Sequence, residues 1–182
     1  MDNPGNLRLR AIERSDIPRF VRWLNDPEVT EFLLISHPLS TDMEEKWYEN
    51  QLQNDPASGQ VMAIEVLVGD AWLHIGNTGL HDVNQISRYA EFGIFIGEKD
   101  YWNRGYGSMA TNLILRYGFE TLNLNRIYLY VYETNHRGIK AYEKAGFVKE
   151  GVLRQGVYKN GRYLDLIVMA MLKSEWNQLK GK

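Results

Sequence analysis

The chain has 182 residues, of which 44% are hydrophobic and 24% charged, and its formal net charge is −2. This length suits a single domain with a substantial core, so we expect residues 1–182 to form one domain. The nearly neutral charge disfavours nucleic acid as a partner, and the absence of cysteine excludes disulfide scaffolds and thiolate catalysis. We expect a cytoplasmic protein without a membrane partner, because no signal-like start is present and the apolar run from Leu164 to Leu172 is too short to span a bilayer.

Charge is unevenly distributed along the chain. Residues 1–60 contain 11 acidic and 6 basic side chains, whereas residues 61–182 contain 12 acidic and 15 basic ones. Two interpretations remain open. The difference is either scatter over solvated surfaces, or an acidic side that attracts a cationic substrate beside a basic side that receives an anionic cofactor.

The N-terminal third predicts one strand and two helices. Leu7 to Arg10 alternates between apolar and charged residues, which is typical of a strand. Ser15 to Pro18 offers a helix cap with proline in the first turn, and that helix is expected to end at about Leu24. Thr41 to Glu44 resembles a capping box, which predicts a second helix through Leu52.

The middle of the chain predicts an antiparallel meander. Val61 to Leu67 and Ala71 to His81 are rich in strand-forming residues, and Val68-Gly69-Asp70 joins them as a hairpin turn. Arg88 to Gly97 predicts the third strand of this region. The helices of the first fifty residues are therefore followed by sheet.

The last third predicts two helices and three strands. The helices are Gly105 to Glu120 and Arg137 to Lys144, and the strands are Arg126 to Tyr132, Val152 to Tyr158 and Tyr163 to Leu172. Asn160-Gly161 supplies the positive φ angles of the final hairpin turn. The order β-α-α-β-β-β-α-β-α-β-β predicts an α/β (α+β) fold with a mixed sheet of about seven strands flanked by about four helices.

Two glycines in the segment Trp102 to Ala110 fit phosphate recognition. Gly105 and Gly107 stand where a loop opens a helix, so that backbone N–H groups and the helix N-terminus can face one anion. A tight turn alone would also explain them. A P-loop sequence is absent, and a nicotinamide site is disfavoured because the preceding strand does not begin a first βαβ unit.

A second informative segment, Asn135 to Phe147, contains an Asn, a Tyr seven residues later and the sequence Lys-x-Gly-Phe. Together with Trp102 to Ala110 it resembles the GNAT superfamily of N-acetyltransferases, and the resemblance extends from Leu7 to about Trp176. The branch that it resembles most holds ribosomal-protein alanine acetyltransferases and spermidine acetyltransferases. The resemblance implies a GNAT fold with a mostly antiparallel sheet. It also implies metal-free transfer of an acetyl group from acetyl-CoA to a primary amine, on a protein N-terminus or a polyamine-like molecule, in a ternary complex.

The resemblance also implies roles for individual residues. Tyr142 would protonate the departing coenzyme A thiolate, and its alternative is a core aromatic residue on an amphipathic helix. The backbone N–H groups of Phe95 and Ile96 would face the thioester. The remaining residues implied in cofactor binding are Asn103, Arg104, Gly105, Tyr106, Gly107, Ser108, Asn135, Lys140 and Lys144.

Three positions leave alternatives open. Trp102 occupies the place where the superfamily usually has Gln or Arg, which puts a side-chain role there in doubt. Asn135 either contacts the pantetheine region, caps the helix that follows, or does both. Glu91 lies on the strand that leads to the cofactor loop and is the candidate general base, acting directly or through water, unless it is an ordinary exposed strand residue.

Two histidines lie seven residues apart on one predicted strand. Regular alternation would place His74 and His81 on opposite faces of the sheet, so a shared metal is not expected and structural roles are favoured.

A second class of function and an assembly complete the hypotheses. The alternative to an enzyme is a coenzyme A-binding sensor or interaction module with the same fold. A homodimer is expected from the resemblance and from the apolar run Leu166 to Met169, although a buried central strand would explain that run equally well.

Overall fold

A computed structural model describes residues 6–35, 37–53, 55 and 59–181. Seven strands form one sheet in the order β1-β2-β3-β4-β5-β7-β6. They are β1 (Leu7–Ala11), β2 (Gln60–Val68), β3 (Ala71–Asn84), β4 (Tyr89–Ile96), β5 (Arg126–Tyr132), β6 (Val148–Lys159) and β7 (Arg162–Leu172). The pairing is antiparallel throughout except between β4 and β5, which confirms the predicted mixed, mostly antiparallel sheet.

Five helices accompany the sheet. They are α1 (Ile17–Leu24), α2 (Thr41–Gln53), α3 (Tyr106–Arg116), α4 (His136–Ala145) and α5 (Lys173–Lys180). The sequence did not predict α5, because this short helix buries only Trp176, whose ring stacks on Phe119 with centroids 5.7 Å apart. Within the described ranges, no helix combines the length and the apolar character that crossing a bilayer requires.

Helices cover both faces of the sheet. Side chains alternate along β4, so that Phe95 meets Trp23 of α1 on one face at 6.1 Å between ring centroids. On the other face, Phe92 meets Tyr142 of α4 at 6.0 Å. Consequently α1 and α2, which pack on each other, cover one side of the sheet, and α3 and α4 cover the other.

The helix α2 begins differently from the prediction. The Ser40 hydroxyl oxygen accepts a hydrogen bond from the Met43 N–H at 3.2 Å, so Ser40 is the capping residue rather than Thr41. The capping box assigned to Thr41 and Glu44 is therefore wrong. This leaves the Glu44 side chain free for another environment.

A bulge on β3 changes which residues share a face. Glu65 of β2 pairs with His74 and the adjacent Ile64 pairs with Gly76, so Ile75 is an extra residue. The extra residue shifts the alternation by one, and His74 and His81 therefore lie on the same face of the sheet. The expectation of opposite faces was wrong because it assumed a regular strand.

The closing hairpin has the predicted turn, but its apolar run is internal. Asn160 and Gly161 have φ angles of 49° and 83°. Strand β7 lies between β5 and β6, and its residues Leu166, Ile167 and Met169 are buried within the monomer. The run from Leu166 to Met169 is thus a central strand, and it does not offer the surface that a homodimer would use.

Candidate active site

The sheet opens between β4 and β5. The two strands pair only from Tyr89 opposite Arg126 to Glu91 opposite Tyr128. Both strands continue beyond this point, β4 to Ile96 and β5 to Tyr132, without further pairing to each other. A cavity of about 810 Å³ lies at this opening, bordered by unpaired backbone of both strands.

The N-terminus of α3 forms one wall of this cavity. The first intrahelical hydrogen bond runs from the Met109 N–H to the Gly105 carbonyl at 3.0 Å. The N–H groups of Tyr106, Gly107 and Ser108 therefore have no acceptor within the helix, and all three residues line the cavity. Such a helix start attracts anions, which fits the diphosphate of coenzyme A.

The two glycines at this helix start have different functions. Gly105 adopts a φ of +84° immediately before α3, a conformation that favours glycine. Gly107 lies inside the helix and is not in the left-handed region, so its backbone conformation does not require glycine. A Cβ atom added at Gly107 would meet no atom within 4 Å and would project into open space. The absence of a side chain here leaves room for a ligand.

Asn135 and Tyr142 bring α4 to the same cavity. The Asn135 Oδ1 accepts a hydrogen bond from the Gly138 N–H at 2.9 Å, so Asn135 caps α4 while also lining the cavity. The Tyr142 ring packs edge-on against Phe92 and Phe147. Its hydroxyl bonds to no described residue. Every fully enclosed side-chain polar atom of the described residues has a hydrogen-bond partner. The Tyr142 hydroxyl has none, so it is not enclosed and opens on the cavity.

The protonation of Tyr142 suits a proton donor. Burial raises the pKa of Tyr142 to about 12, against a small opposing effect from Arg137. The phenol therefore stays protonated at neutral pH and carries a proton that it can donate.

Glu91 stands where the pairing of β4 with β5 ends. It is half-buried, lines the cavity, and pairs in register with His81 of β3. Burial, reinforced by the negative charge of Asp82, raises the pKa of Glu91. His81 is exposed on the cavity wall, and the neighbouring protein lowers its pKa by partial desolvation. The sequence favoured a structural role for His81, whereas the structure places it in this wall.

Three predicted cofactor residues do not line the cavity. Arg104, Lys140 and Lys144 are exposed and lie outside its wall. The other predicted residues all line it, namely Glu91, Phe95, Ile96, Asn103, Gly105, Tyr106, Gly107, Ser108, Asn135 and Tyr142.

Arg137 is a cavity cation that sequence reasoning missed. It lies in the first turn of α4, and its guanidinium is 5.2 Å from the ring centroid of Trp102. The Trp102 indole N–H in turn donates to the Ile96 carbonyl at 2.8 Å, which ties the loop before α3 to the end of β4. The signal that would have found Arg137 is its place two residues after the cap Asn135.

The family model for the acetyltransferase (GNAT) domain matches residues 6–148. The chain belongs to the GNAT acetyltransferase family. The spermidine N(1)-acetyltransferase of Vibrio cholerae is 34% identical over 174 residues, which cover 94% of this chain and 96% of that protein. The N-acetyltransferase p20 of Bacillus licheniformis is 33% identical over 171 residues, which cover 93% of this chain and 94% of that protein.

A solved structure of a GNAT enzyme agrees with this fold. The spermidine N-acetyltransferase from Vibrio cholerae, in complex with CoA and spermine, matches with a TM-score of 0.87 at 31% identity. The match covers 95% of this chain and 99% of that chain. This GNAT chain is accordingly an acetyl-CoA-dependent acetyltransferase with acetyl-CoA as co-substrate, rather than a coenzyme A-binding sensor or interaction module.

The opposite wall of the GNAT cavity is the segment between α1 and α2. The Lys159 ammonium of the closing hairpin donates to the carbonyls of Thr30, Leu33 and Ile35 at 3.0, 2.9 and 2.7 Å. The Tyr132 hydroxyl also donates to the Leu33 carbonyl at 3.1 Å. These bonds hold residues 30–35 against the sheet, where Leu33 and Ile35 line the cavity.

His74 has the structural role that the sequence favoured. It is buried, with Nδ1 3.0 Å from an Asp16 carboxylate oxygen and Nε2 3.0 Å from the Gly76 carbonyl. Burial disfavours the Asp16 charge, but hydrogen bonds from Arg10 and His74 outweigh it and hold the pKa of Asp16 well below its usual range. The part of the chain that the structure describes contains no cluster of three or more His, Asp or Glu residues able to hold a metal.

Proposed function

We propose that this GNAT enzyme acetylates a primary amine of a small aliphatic polyamine. The observation that carries the proposal is that Tyr142 and Glu91, from opposite faces of the sheet, both reach the cavity at the opening between β4 and β5. The relatives support the polyamine. The Vibrio cholerae spermidine acetyltransferase matches nearly the whole chain, whereas the putative ribosomal N-acetyltransferase YdaF of Bacillus subtilis, at 36% identity, matches over 101 residues, or 56% of this chain and 55% of that protein.

In this proposal the α3 side of the sheet holds acetyl-CoA. The free N–H groups at the start of α3 bind the diphosphate together with the helix dipole. Arg137 adds a positive charge beside them. The thioester then reaches the opening, where a backbone N–H of Phe95 or Ile96 stabilises the oxyanion. Successive N–H groups of a strand point to opposite edges, so one of the two faces the opening.

The amine approaches from the α1 and α2 side. Glu91 accepts a proton from the incoming ammonium, directly or through water, which frees the nitrogen lone pair to attack the thioester carbonyl. As the tetrahedral intermediate collapses, the C–S bond breaks and Tyr142 protonates the sulfur. The nitrogen loses a further proton to solvent, Tyr142 regains one from solvent and Glu91 releases the one it accepted, so the products are the N-acetyl amine, coenzyme A and one proton.

Three further properties belong to the same proposal. We propose that residues 1–182 act as one N-acetyltransferase domain, since one continuous sheet runs from β1 to β7. We propose a homodimer formed through the edge strand β6, which exposes Val148, Val152 and Leu153. A dodecameric structure is known for the Vibrio cholerae spermidine N-acetyltransferase. We also propose a cytoplasmic location, because the reaction consumes acetyl-CoA.

Release of coenzyme A thiol from acetyl-CoA tests the proposed function. The assay compares spermidine, spermine and putrescine with a peptide that has an N-terminal alanine and with an aminoglycoside. We expect the polyamines to give the highest kcat/KM. If only the peptide is acetylated, the proposed polyamine substrate is wrong. If no amine of the panel leads to thiol release, the proposed acetyltransferase reaction is contradicted.

A further inference from the structure

Glu44 is a buried carboxylate that the proposed reaction does not use. Its exposed fraction is 6%, and it borders the cavity from α2. Among the described residues, its side chain has neither a hydrogen-bond donor nor a cation as partner. Every fully enclosed side-chain polar atom of those residues has a hydrogen-bond partner. The Glu44 oxygens have none, so they open on the cavity.

Two other acidic side chains near this wall share one cation, whereas Glu31, which also lines the cavity, is exposed. Asp26 and Glu28 both contact the Lys99 ammonium, at 2.8 and 2.5 Å. Burial of a carboxylate without a cation is costly, and here it raises the pKa of Glu44. The helix cap is supplied by Ser40, so capping does not account for Glu44.

The surroundings of Glu44 suit an organic ammonium group. Phe20 and Trp47 line the same wall of the cavity, and their rings meet edge-to-face at 5.7 Å. A carboxylate among aromatic rings offers charge pairing together with cation–π contact, while the rings pack against methylene groups. Among the described residues, no group of three or more His, Asp or Glu side chains is placed to hold a metal ion here.

The position of Glu44 relative to the reacting groups follows from the two faces of the sheet. Tyr142 belongs to the α3 and α4 side, where it contacts Phe92. Glu44 belongs to the α1 and α2 side, where Phe20 contacts His74. A substrate that presents one nitrogen at the opening therefore extends its remaining chain toward Glu44.

We infer that Glu44 binds a second, cationic nitrogen of the amine substrate and so determines the preference for diamines and polyamines over monoamines. The inference rests on the proposed function, because it requires the first nitrogen to react at the opening in the sheet. It assigns the preference to one side chain that takes no part in the proton transfers.

The test compares α,ω-diamines of increasing length, each beside the monoamine of the same carbon count. For the wild-type enzyme we expect a higher kcat/KM with the diamine. In Glu44→Gln, kcat/KM for the best diamine should fall by about 10- to 100-fold, the effect of losing a charge-assisted hydrogen bond. Its value for the monoamine should change little.

Glu45→Gln is the matched control, because Glu45 is the next residue on α2 but is exposed and lies outside the cavity, 3.4 Å from Arg14. It should keep the wild-type preference. Glu44→Gln should unfold at a Tm equal to or above that of the wild type, since no described partner is lost and the cost of burying the charge is removed. Titration of the diamine into the enzyme saturated with coenzyme A measures the same preference without turnover.

Each other outcome identifies which idea fails. Equal losses for diamine and monoamine in Glu44→Gln would make Glu44 structural and overturn the inference. A diamine preference that survives in Glu44→Gln would also overturn it, yet would leave the proposed polyamine function intact. A wild-type enzyme that acetylates no amine would overturn both.

Discussion

At the scale of single residues, the hydroxyl of Tyr142 is the group whose removal tests the chemistry most directly. Tyr142→Phe keeps the ring that packs on Phe92 and Phe147 and removes only the proton. General acid catalysis contributes about 10²–10⁴-fold, and a thiolate is already a fair leaving group, so kcat should fall by the lower part of this range. Acetyl-CoA affinity, measured by calorimetry on the same variant, should stay unchanged. If the variant has the wild-type kcat, Tyr142 is not the acid and only packs in the core.

The raised pKa of Glu91 determines how kcat/KM should fall at acidic pH. A base is active only when ionised, and burial with the charge of Asp82 raises the pKa of Glu91 above that of an ordinary glutamate. As pH falls through this raised pKa, kcat/KM should decline, and the midpoint should lie above the usual range for glutamate. In Glu91→Gln the decline should disappear and the rate at the optimum should drop. If the variant retains both the rate and the decline, another group accepts the proton.

The sequence predicted some of these residues and not others for identifiable reasons. Tyr142 and Gly105 belong to short motifs whose spacing is local, so they were found without a structure. His81 and Glu44 reach the cavity through long-range packing, helped by the bulge at Ile75 and by a helix cap one residue earlier than expected. The bulge leaves no distinct pattern in the sequence, and Ser40 and Thr41 are adjacent residues that are both favoured as helix caps.

At the scale of secondary structure elements, the start of α3 separates ligand binding from folding. Gly107→Val adds a side chain where a Cβ meets no protein atom, and valine is a better helix former than glycine, so the helix should form at no cost in stability. The added methyl groups enter the space that the diphosphate needs. Calorimetry should show a much larger acetyl-CoA dissociation constant with little change in Tm. If the folded variant binds acetyl-CoA with unchanged affinity, the diphosphate does not bind at this helix start.

The segment between α1 and α2 depends on a cation from a distant hairpin. Lys159 bonds three carbonyl oxygens of this segment, and Lys159→Met retains a similar length without the charge or the donors. We expect the KM for the amine to rise while the KM for acetyl-CoA stays near the wild-type value, because acetyl-CoA binds across the sheet. Lys149→Met, at the other end of β6, is an exposed control. Parallel increases of both KM values would indicate general loosening of the fold instead.

Element boundaries illustrate the same limit of sequence reasoning. The bounds of β5 and α4 were predicted almost to the residue, because alternation and the capping Asn135 are local signals. The helix α5 was missed, since a single buried residue, Trp176, holds it to the sheet. Contacts between distant segments, rather than periodicity, therefore decide the elements that the sequence did not show.

At the scale of the whole molecule, the edge strand β6 is the surface on which the proposed homodimer depends. It ends the sheet and exposes Val148, Val152 and Leu153 at 51%, 41% and 47%. An irregularity between Leu153 and Val157 interrupts its pairing with β7, which disfavours simple continuation of the sheet into a second copy. Pairing is therefore expected to rest on packing of these apolar side chains.

Light scattering should then give a mass that is a multiple of the 21.2 kDa chain. Leu153→Lys places a charge on this edge strand and should yield the monomer, because an unpaired charge is costly to bury at an interface. Leu153 is 47% exposed, so Tm of the isolated chain should change little and acetyl-CoA binding should persist. A wild-type mass of 21.2 kDa would reject the pairing, and an oligomer that survives Leu153→Lys would move the interface away from β6.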